Sequence, residues 1–196
     1  VLVNNYSIKL IDDSGLSIAQ LHSNNADIKI AYMFNGKHWL QISESFIKNL
    51  LRDTLVKMGY DQLQSQTARL SEILIKTFWN IVPKTPIVDH KRILINLQNT
   101  MLELSPTGEI IQHKHNKNNF LLYCLPYGYN QNAQCPIFTK YLDRVLPDKE
   151  SQLVLQELLG SIFVRNLNLE KIGILYGSGA NGKSVLLNIL IGLLGT

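Results

Sequence analysis

The spacing of apolar residues changes several times along the chain, and each change marks an element. Ile28, Ile30, Tyr32 and Phe34 alternate with Lys29, Ala31 and Met33, then Asn35-Gly36 intervenes before Lys37 to Ile42. Alternation with a period of two around Asn-Gly predicts a β-hairpin, because the tight turn joining neighbouring strands needs residues that accept positive φ. From Ser43 the spacing lengthens. Phe46, Ile47, Leu50, Leu51, Leu55 and Met58 fall on one face of a helix that Ser43 can cap and Gly59 can end. A second helix is expected from about Asp61 to Ile81, with Leu63, Leu70, Ile73, Leu74, Phe78 and Ile81 inward, until Pro83 and Pro86 break the pattern. The two helices should pack together, and Trp39, Phe78 and Trp79 read as core residues rather than base-stacking ones.

Past the prolines the period shortens again. Ile93 to Leu97 and Met101 to Leu104 read as strands, and Ser105-Pro-Thr-Gly108 as the turn into Ile110 and Ile111, which together make a β-meander. Asn116 to Asn119 and Leu125-Pro-Tyr-Gly-Tyr-Asn130 read as loops. Two more helices follow. One starts at Pro136, carries Ile137, Phe138, Tyr141, Leu142, Val145 and Leu146, and stops at Pro147. Asp148 caps the next, with Leu153, Leu155, Leu158, Leu159, Ile162 and Phe163 inward.

Asn166 to Glu170 then leads into Lys171 to Tyr176, an apolar run expected to be a buried strand, and Val185 to Leu194 reads as a buried helix. Between them stands Gly177-Ser-Gly-Ala-Asn-Gly-Lys-Ser184, which fits G-x-x-x-x-G-K-[ST] in the order strand, glycine loop, helix that a phosphate-binding P-loop requires. The glycines let the backbone turn sharply and bring N–H groups against phosphate oxygens, and the helix N-terminus adds positive potential. The candidate ATP-binding residues are therefore Gly177, Ser178, Gly179, Ala180, Asn181, Gly182, Lys183 and Ser184. Lys183 is the candidate catalytic residue, reaching the β- and γ-phosphates, and the Ser184 hydroxyl is the candidate Mg²⁺ ligand.

The expected fold is an α+β accessory domain, largely helical with a small hairpin and meander, followed by the first strand and helix of an α/β P-loop ATPase. Residues 1–23 are read as the end of a preceding segment or a linker, 24–165 as the accessory domain, and 166–196 as the truncated start of the ATPase. The chain opens on Val1 and stops about a dozen residues after the glycine loop, so it reads as a segment of a longer protein.

Composition narrows this picture only a little. Apolar residues make up 45% of 196 and charged residues 17%, which is enough for a folded core and excludes a disordered chain. A net charge of +4 permits a polyanionic partner without demanding one, and the denser patches His113-Lys-His-Asn-Lys117 and His90-Lys-Arg92 read as solvated loops. Cys124 and Cys135 are too few for a disulfide scaffold, lack the close pairing of a zinc site, and fit a reducing cytoplasm. The C-terminal apolar stretch falls short of the roughly 20 residues that span a bilayer, so no membrane segment is expected.

From Asn96 onward the sequence resembles phage and plasmid primase-helicases, the group that includes satellite-phage replication proteins and the poxvirus primase-helicase. The matching pieces are Leu97-Gln-Asn-Thr-Met-Leu-Glu-Leu104 with Thr107-Gly-Glu109, then Leu125-Pro-Tyr-Gly-Tyr129. Ala133-Gln-Cys-Pro136 with Phe138, Leu155-Gln-Glu-Leu-Leu-Gly160 and the glycine loop complete the series. Thr100 departs from the family, where a glycine commonly follows the asparagine.

The resemblance implies a superfamily 3 helicase, an AAA+-like ring that is usually hexameric, hydrolyses ATP between subunits and translocates on single-stranded or forked DNA. A homo-oligomeric full-length protein, a primase domain upstream, and a cytoplasmic setting in a bacterial host or a virus-infected cell are further implications. Hydrolysis also needs an acidic element and an arginine, which in that family lie beyond the P-loop, so the segment alone is expected to be inactive. Its apolar Ile172, Leu175, Val185, Leu187, Ile189, Leu190 and Leu193 are expected to pack on the helical domain, self-associate or stay poorly ordered. The alternative is a non-catalytic DNA- or protein-binding accessory module.

Overall fold

The computed structural model describes residues 17–21, 29–65, 67–164, 167, 170–177, 179 and 182–195. Within them the chain is a mixed α+β protein with six α-helices and two three-stranded antiparallel sheets. Two compact units emerge: described residues up to Val88 together with His115–Tyr123, and Asp89–Lys114 together with the residues from Cys124 on.

In the first unit, strands β1 (Ser17–Gln20), β2 (Ala31–Phe34) and β3 (Trp39–Ile42) form a sheet in that order. The expected hairpin is β2–β3, with Phe34 opposite Trp39. Its turn is made by Asn35, whose side-chain oxygen accepts from the N–H of Lys37 at 3.0 Å and of His38 at 2.9 Å, and by Gly36 at φ 94°. Ile28 lies outside the described residues.

Both outer strands of this sheet carry a further piece of their own chain. The Gln20 N–H donates to the Pro83 carbonyl and the Thr85 N–H to the Gln20 carbonyl, each at 2.7 Å, which lays residues 83–85 beside β1. On the far side the Trp39 N–H donates to the Leu121 carbonyl at 2.8 Å.

One face of the sheet is covered by helices α1 (Glu44–Lys57) and α3 (Ala68–Ile81): Ile18 and Ala31 pack with Ile47, Ile75, Phe78 and Val82. The other face gathers Ala19, Phe34, Trp39 and Phe120. Trp39 and Phe78 are buried, as their spacing implies, and the Trp39 indole N–H donates to the Lys117 carbonyl at 2.8 Å. Ser43 caps α1 as expected, its hydroxyl accepting from the Phe46 N–H at 3.2 Å.

The single helix expected over 61–81 is two, α2 (Gln62–Ser65) and α3. Thr67 is extended at φ −67° and ψ 137°, and hydroxyls of Ser65, Thr67 and Ser71 bond to carbonyls of Gln62, Gln64 and Thr67. Local side-chain bonds of this kind compete with the helical ladder. The inward stripes of both α1 and the 61–81 region also differ from those expected. Phe46, Leu63 and Ile73 are exposed, and Ile75 takes the buried place on α3.

In the second unit the meander forms as expected from β4 (Ile93–Asn96), β5 (Met101–Leu104) and β6 (Ile110–His113). Leu97, Leu102 and Leu125 make its core, joined by Ile95, Tyr127, Tyr129 and Phe163. Helices α4 (Pro136–Val145) and α5 (Lys149–Ser161) occupy the expected ranges, and Asp148 caps α5 through the Ser151 N–H at 2.8 Å. Their stripes are less covered than their spacing implies: no residue of either helix is fully buried, and Ile137 is 85% exposed. Helix α6 (Lys183–Leu194), expected to be buried, buries only Leu186.

Lys171 to Tyr176, expected to be a buried strand, forms no strand, and Ile172 and Tyr176 are 89% and 98% exposed. A strand of this kind needs neighbours along its edges for its backbone and helices on its faces for its side chains, and no described strand runs beside it.

Candidate nucleotide-binding loop

Of the loop residues singled out by the sequence, Gly177, Gly179, Gly182, Lys183 and Ser184 are described, while Ser178, Ala180 and Asn181 lie outside the described residues. Gly179 at φ 107° and Gly182 at φ 87° sit in the left-handed region that favours glycine. Gly182 is the N-cap of α6 and gives it no side-chain cap. Its carbonyl accepts from the Leu186 N–H at 3.1 Å, which starts the helix immediately before Lys183. The first turn of such a helix presents N–H groups and a positive partial charge. The Lys183 ammonium curls back to donate to the Gly177 carbonyl at 3.1 Å, bringing the two ends of the loop together, and Ser184 is exposed beside it.

Tyr141 was legible only as part of the apolar stripe of α4, yet it reaches the loop. Its hydroxyl donates to the Gly182 carbonyl at 2.6 Å, and a Cβ added at Gly182 would stand 2.9 Å from Tyr141 Cε2 and 3.1 Å from Val145 Cγ1. The ring stacks on Phe138 with centroids 6.0 Å apart.

The motif pieces Leu97-Gln-Asn-Thr100 and Leu125-Pro-Tyr-Gly-Tyr129 meet in the structure. The Leu125 N–H donates to the Asn96 carbonyl at 2.9 Å and the Gln98 N–H to the Tyr127 carbonyl at 2.9 Å. The Asn99 side chain then acts as a strand would, donating to the Tyr129 carbonyl at 2.9 Å and accepting from the Tyr129 N–H at 2.8 Å. A Cβ at Gly128 would lie 3.2 Å from Asn99 Cγ, so the glycine permits this approach. Thr100, the departure from the family pattern, uses its hydroxyl to bond the His113 carbonyl at 3.0 Å and has no positive φ that would require glycine. Beyond this junction the Tyr127 hydroxyl donates to the Leu193 carbonyl of α6 at 3.0 Å. Burial raises the Tyr127 pKa, which keeps that proton in place.

The basic patches are partly spoken for. Arg92 grips Glu103 with two hydrogen bonds, of 2.8 and 2.6 Å, and the His113 imidazole lies 2.8 Å from the same carboxylate. The Arg92 hydrogen bonds above all, with help from His113, hold the Glu103 carboxyl down at about 2. In the first unit the His38 pKa is lowered, first by burial and then by the nearby His115 and Lys37. Both cysteines carry free thiols, and among the described residues no cluster of His, Cys, Asp and Glu could hold a metal ion. No described helix is long and apolar enough to cross a membrane.

The D5 N terminal like family matches residues 22–147, well over half of the chain. The chain belongs to this family, the N-terminal domain of primase-helicase proteins. The match takes in both halves of the Asn99–Tyr129 junction and all of α4, and stops ahead of α5 and the glycine loop. No curated protein matches the chain.

Proposed function

We propose that the full-length protein is an ATP-dependent superfamily 3 DNA helicase of the phage or plasmid primase-helicase kind, acting in DNA replication, with Gly177 to Ser184 as its phosphate-binding loop. The observation that carries this reading is the pairing of a primase-helicase family match over 22–147 with a glycine loop that runs directly into the N-terminus of α6.

In that role the N–H groups of the first turn of α6 bind phosphate oxygens. Lys183 exchanges the Gly177 carbonyl for the β- and γ-phosphates. Ser184, exposed at the same turn, ligates Mg²⁺. On this reading the carboxylate that positions water and the arginine that stabilises the transition state are supplied by the full-length protein, working as a homo-oligomeric ring on single-stranded or forked DNA. A primase domain upstream and a cytoplasmic setting complete the reading.

The test is titration of the chain with a fluorescent ATP analogue and Mg²⁺, alongside Lys183→Ala. Loss of a charged hydrogen bond of about 1.5–3 kcal/mol weakens binding about tenfold or more, and equal binding by the two proteins refutes the assignment. The end of the family match at Pro147 favours a second reading, a non-catalytic DNA- or protein-binding accessory module whose behaviour is independent of the loop. Under it, Lys183→Ala changes nothing.

A further inference from the structure

Helix α6 is 12 residues long, about 18 Å at the usual rise, and buries only Leu186. Helices of this length are normally held by an apolar face, yet here polar contacts hold both ends. Tyr141 donates to the Gly182 carbonyl at the N-terminal end, and Tyr127 donates to the Leu193 carbonyl at the C-terminal end. Pro126 closes on the final turn, since a Cβ at Gly195 would stand 2.8 Å from its Cδ. Both tyrosines lie within the family match and α6 lies outside it.

We propose that Tyr141 is a positioning residue for nucleotide binding, with Tyr127 as the anchor at the far end of the same helix. The inference rests on the phosphate-loop reading of Gly177 to Ser184. A trans peptide is planar, and its C=O and N–H point in opposite directions. The peptide joining Gly182 to Lys183 is trans. The Gly182 carbonyl accepts from both the Leu186 N–H and the Tyr141 hydroxyl, the shorter of the two bonds, and holding it there holds the Lys183 N–H on the opposite side, toward the loop. The ring also blocks any side chain at position 182, so the hydroxyl and the glycine define one geometry together. Without the hydroxyl, the Gly182 carbonyl keeps only the Leu186 N–H at 3.1 Å, and the peptide plane carrying the Lys183 N–H is held less firmly in the direction of the first phosphate contact.

The experiment uses the whole chain, Mg²⁺ and a fluorescent ATP analogue, with melting temperature measured in the absence of nucleotide. Tyr141→Phe keeps the ring and its stacking on Phe138. It is expected to raise Kd about fivefold, the worth of one neutral hydrogen bond, with little change in melting temperature. Val145→Ala trims the other atom against Gly182 without touching the hydrogen bond, and is expected to leave Kd within about twofold. If Tyr141→Phe binds like wild type while Lys183→Ala does not, the positioning role is overturned and the phosphate loop stands. An equal loss in Tyr141→Phe and Val145→Ala makes the effect one of packing and also overturns it. If wild type fails to bind, or Lys183→Ala binds equally well, the loop reading falls and takes this inference with it.

Discussion

Glu103 shows how much a single side chain can settle. Its carboxyl is moved from an ordinary 4.5 to about 2, chiefly by hydrogen bonds from Arg92, so the folded chain prefers the carboxylate more strongly than the unfolded chain does. The resulting stability is complete above 4.5 and drains away as pH falls through the window toward 2. Both partners are partly open to solvent, which reduces the net contribution to about 1 kcal/mol. Glu103→Gln should therefore cost about that much in urea unfolding near neutral pH, and visibly less at a pH of about 3. At this scale the sequence was a mixed guide. Asn35, Gly36, Ser43 and Asp148 could be read directly, because a turn or cap satisfies backbone groups within three residues of itself. Arg92 and His113 could only be read as parts of basic patches, because the carboxylate that claims them stands on a neighbouring strand.

Elements were legible where periodicity was long and turns were local. The hairpin β2–β3, the meander and the helices α1, α4 and α5 form close to their expected ranges. β1 gave no signal, since Ser-Ile-Ala-Gln alternates too briefly to be distinguished from loop, and its place depends on pairing with β2 across residues 22–28. The break ahead of α3 was hidden because hydroxyl side chains at Ser65, Thr67 and Ser71 fit the helical stripe as solvated positions while competing for its carbonyls. The junction of Asn99 with Tyr129 was likewise invisible. Sequence placed Leu125 to Tyr129 in an irregular loop, and only the structure shows an asparagine amide standing in for a strand against it. Asn99→Ala removes both hydrogen bonds and should lower stability by about 1–2 kcal/mol in chemical denaturation. If no loss is seen, the junction is a consequence of neighbouring packing and holds nothing by itself.

For the whole molecule, the family match and the glycine loop concern different stretches of chain, and the residues between them, through α5, belong to neither. The net charge of +4 is modest, and Arg92 and Lys149 are engaged by acids of their own chain. If the chain docks on DNA, the contacts are expected to be few and mainly to phosphate. Affinity for single-stranded or forked DNA should then fall as salt rises, with a shallow slope, in a titration at two salt concentrations. No binding at low salt would remove direct docking by these residues. The glycine loop is a short contiguous run that could be picked out by its letters alone, and Gly179 and Gly182 take the positive φ that favours glycine. Tyr141 escaped notice because it meets Gly182 from forty-one residues away.

The first sheet has a consequence for how the chain is made. Its two rims are met by residues 83–85 at Gln20 and by Leu121 at Trp39, so the backbone groups at these points of each rim are taken by the chain's own later segments. During synthesis those rims stay open until the later residues leave the ribosome, and an open rim is a template for intermolecular strand pairing. Nascent or shortened chains that end before Leu121 should therefore be the stickier species, more prone to inclusion bodies and more dependent on chaperones, whereas chains that extend past it cover part of each rim by themselves.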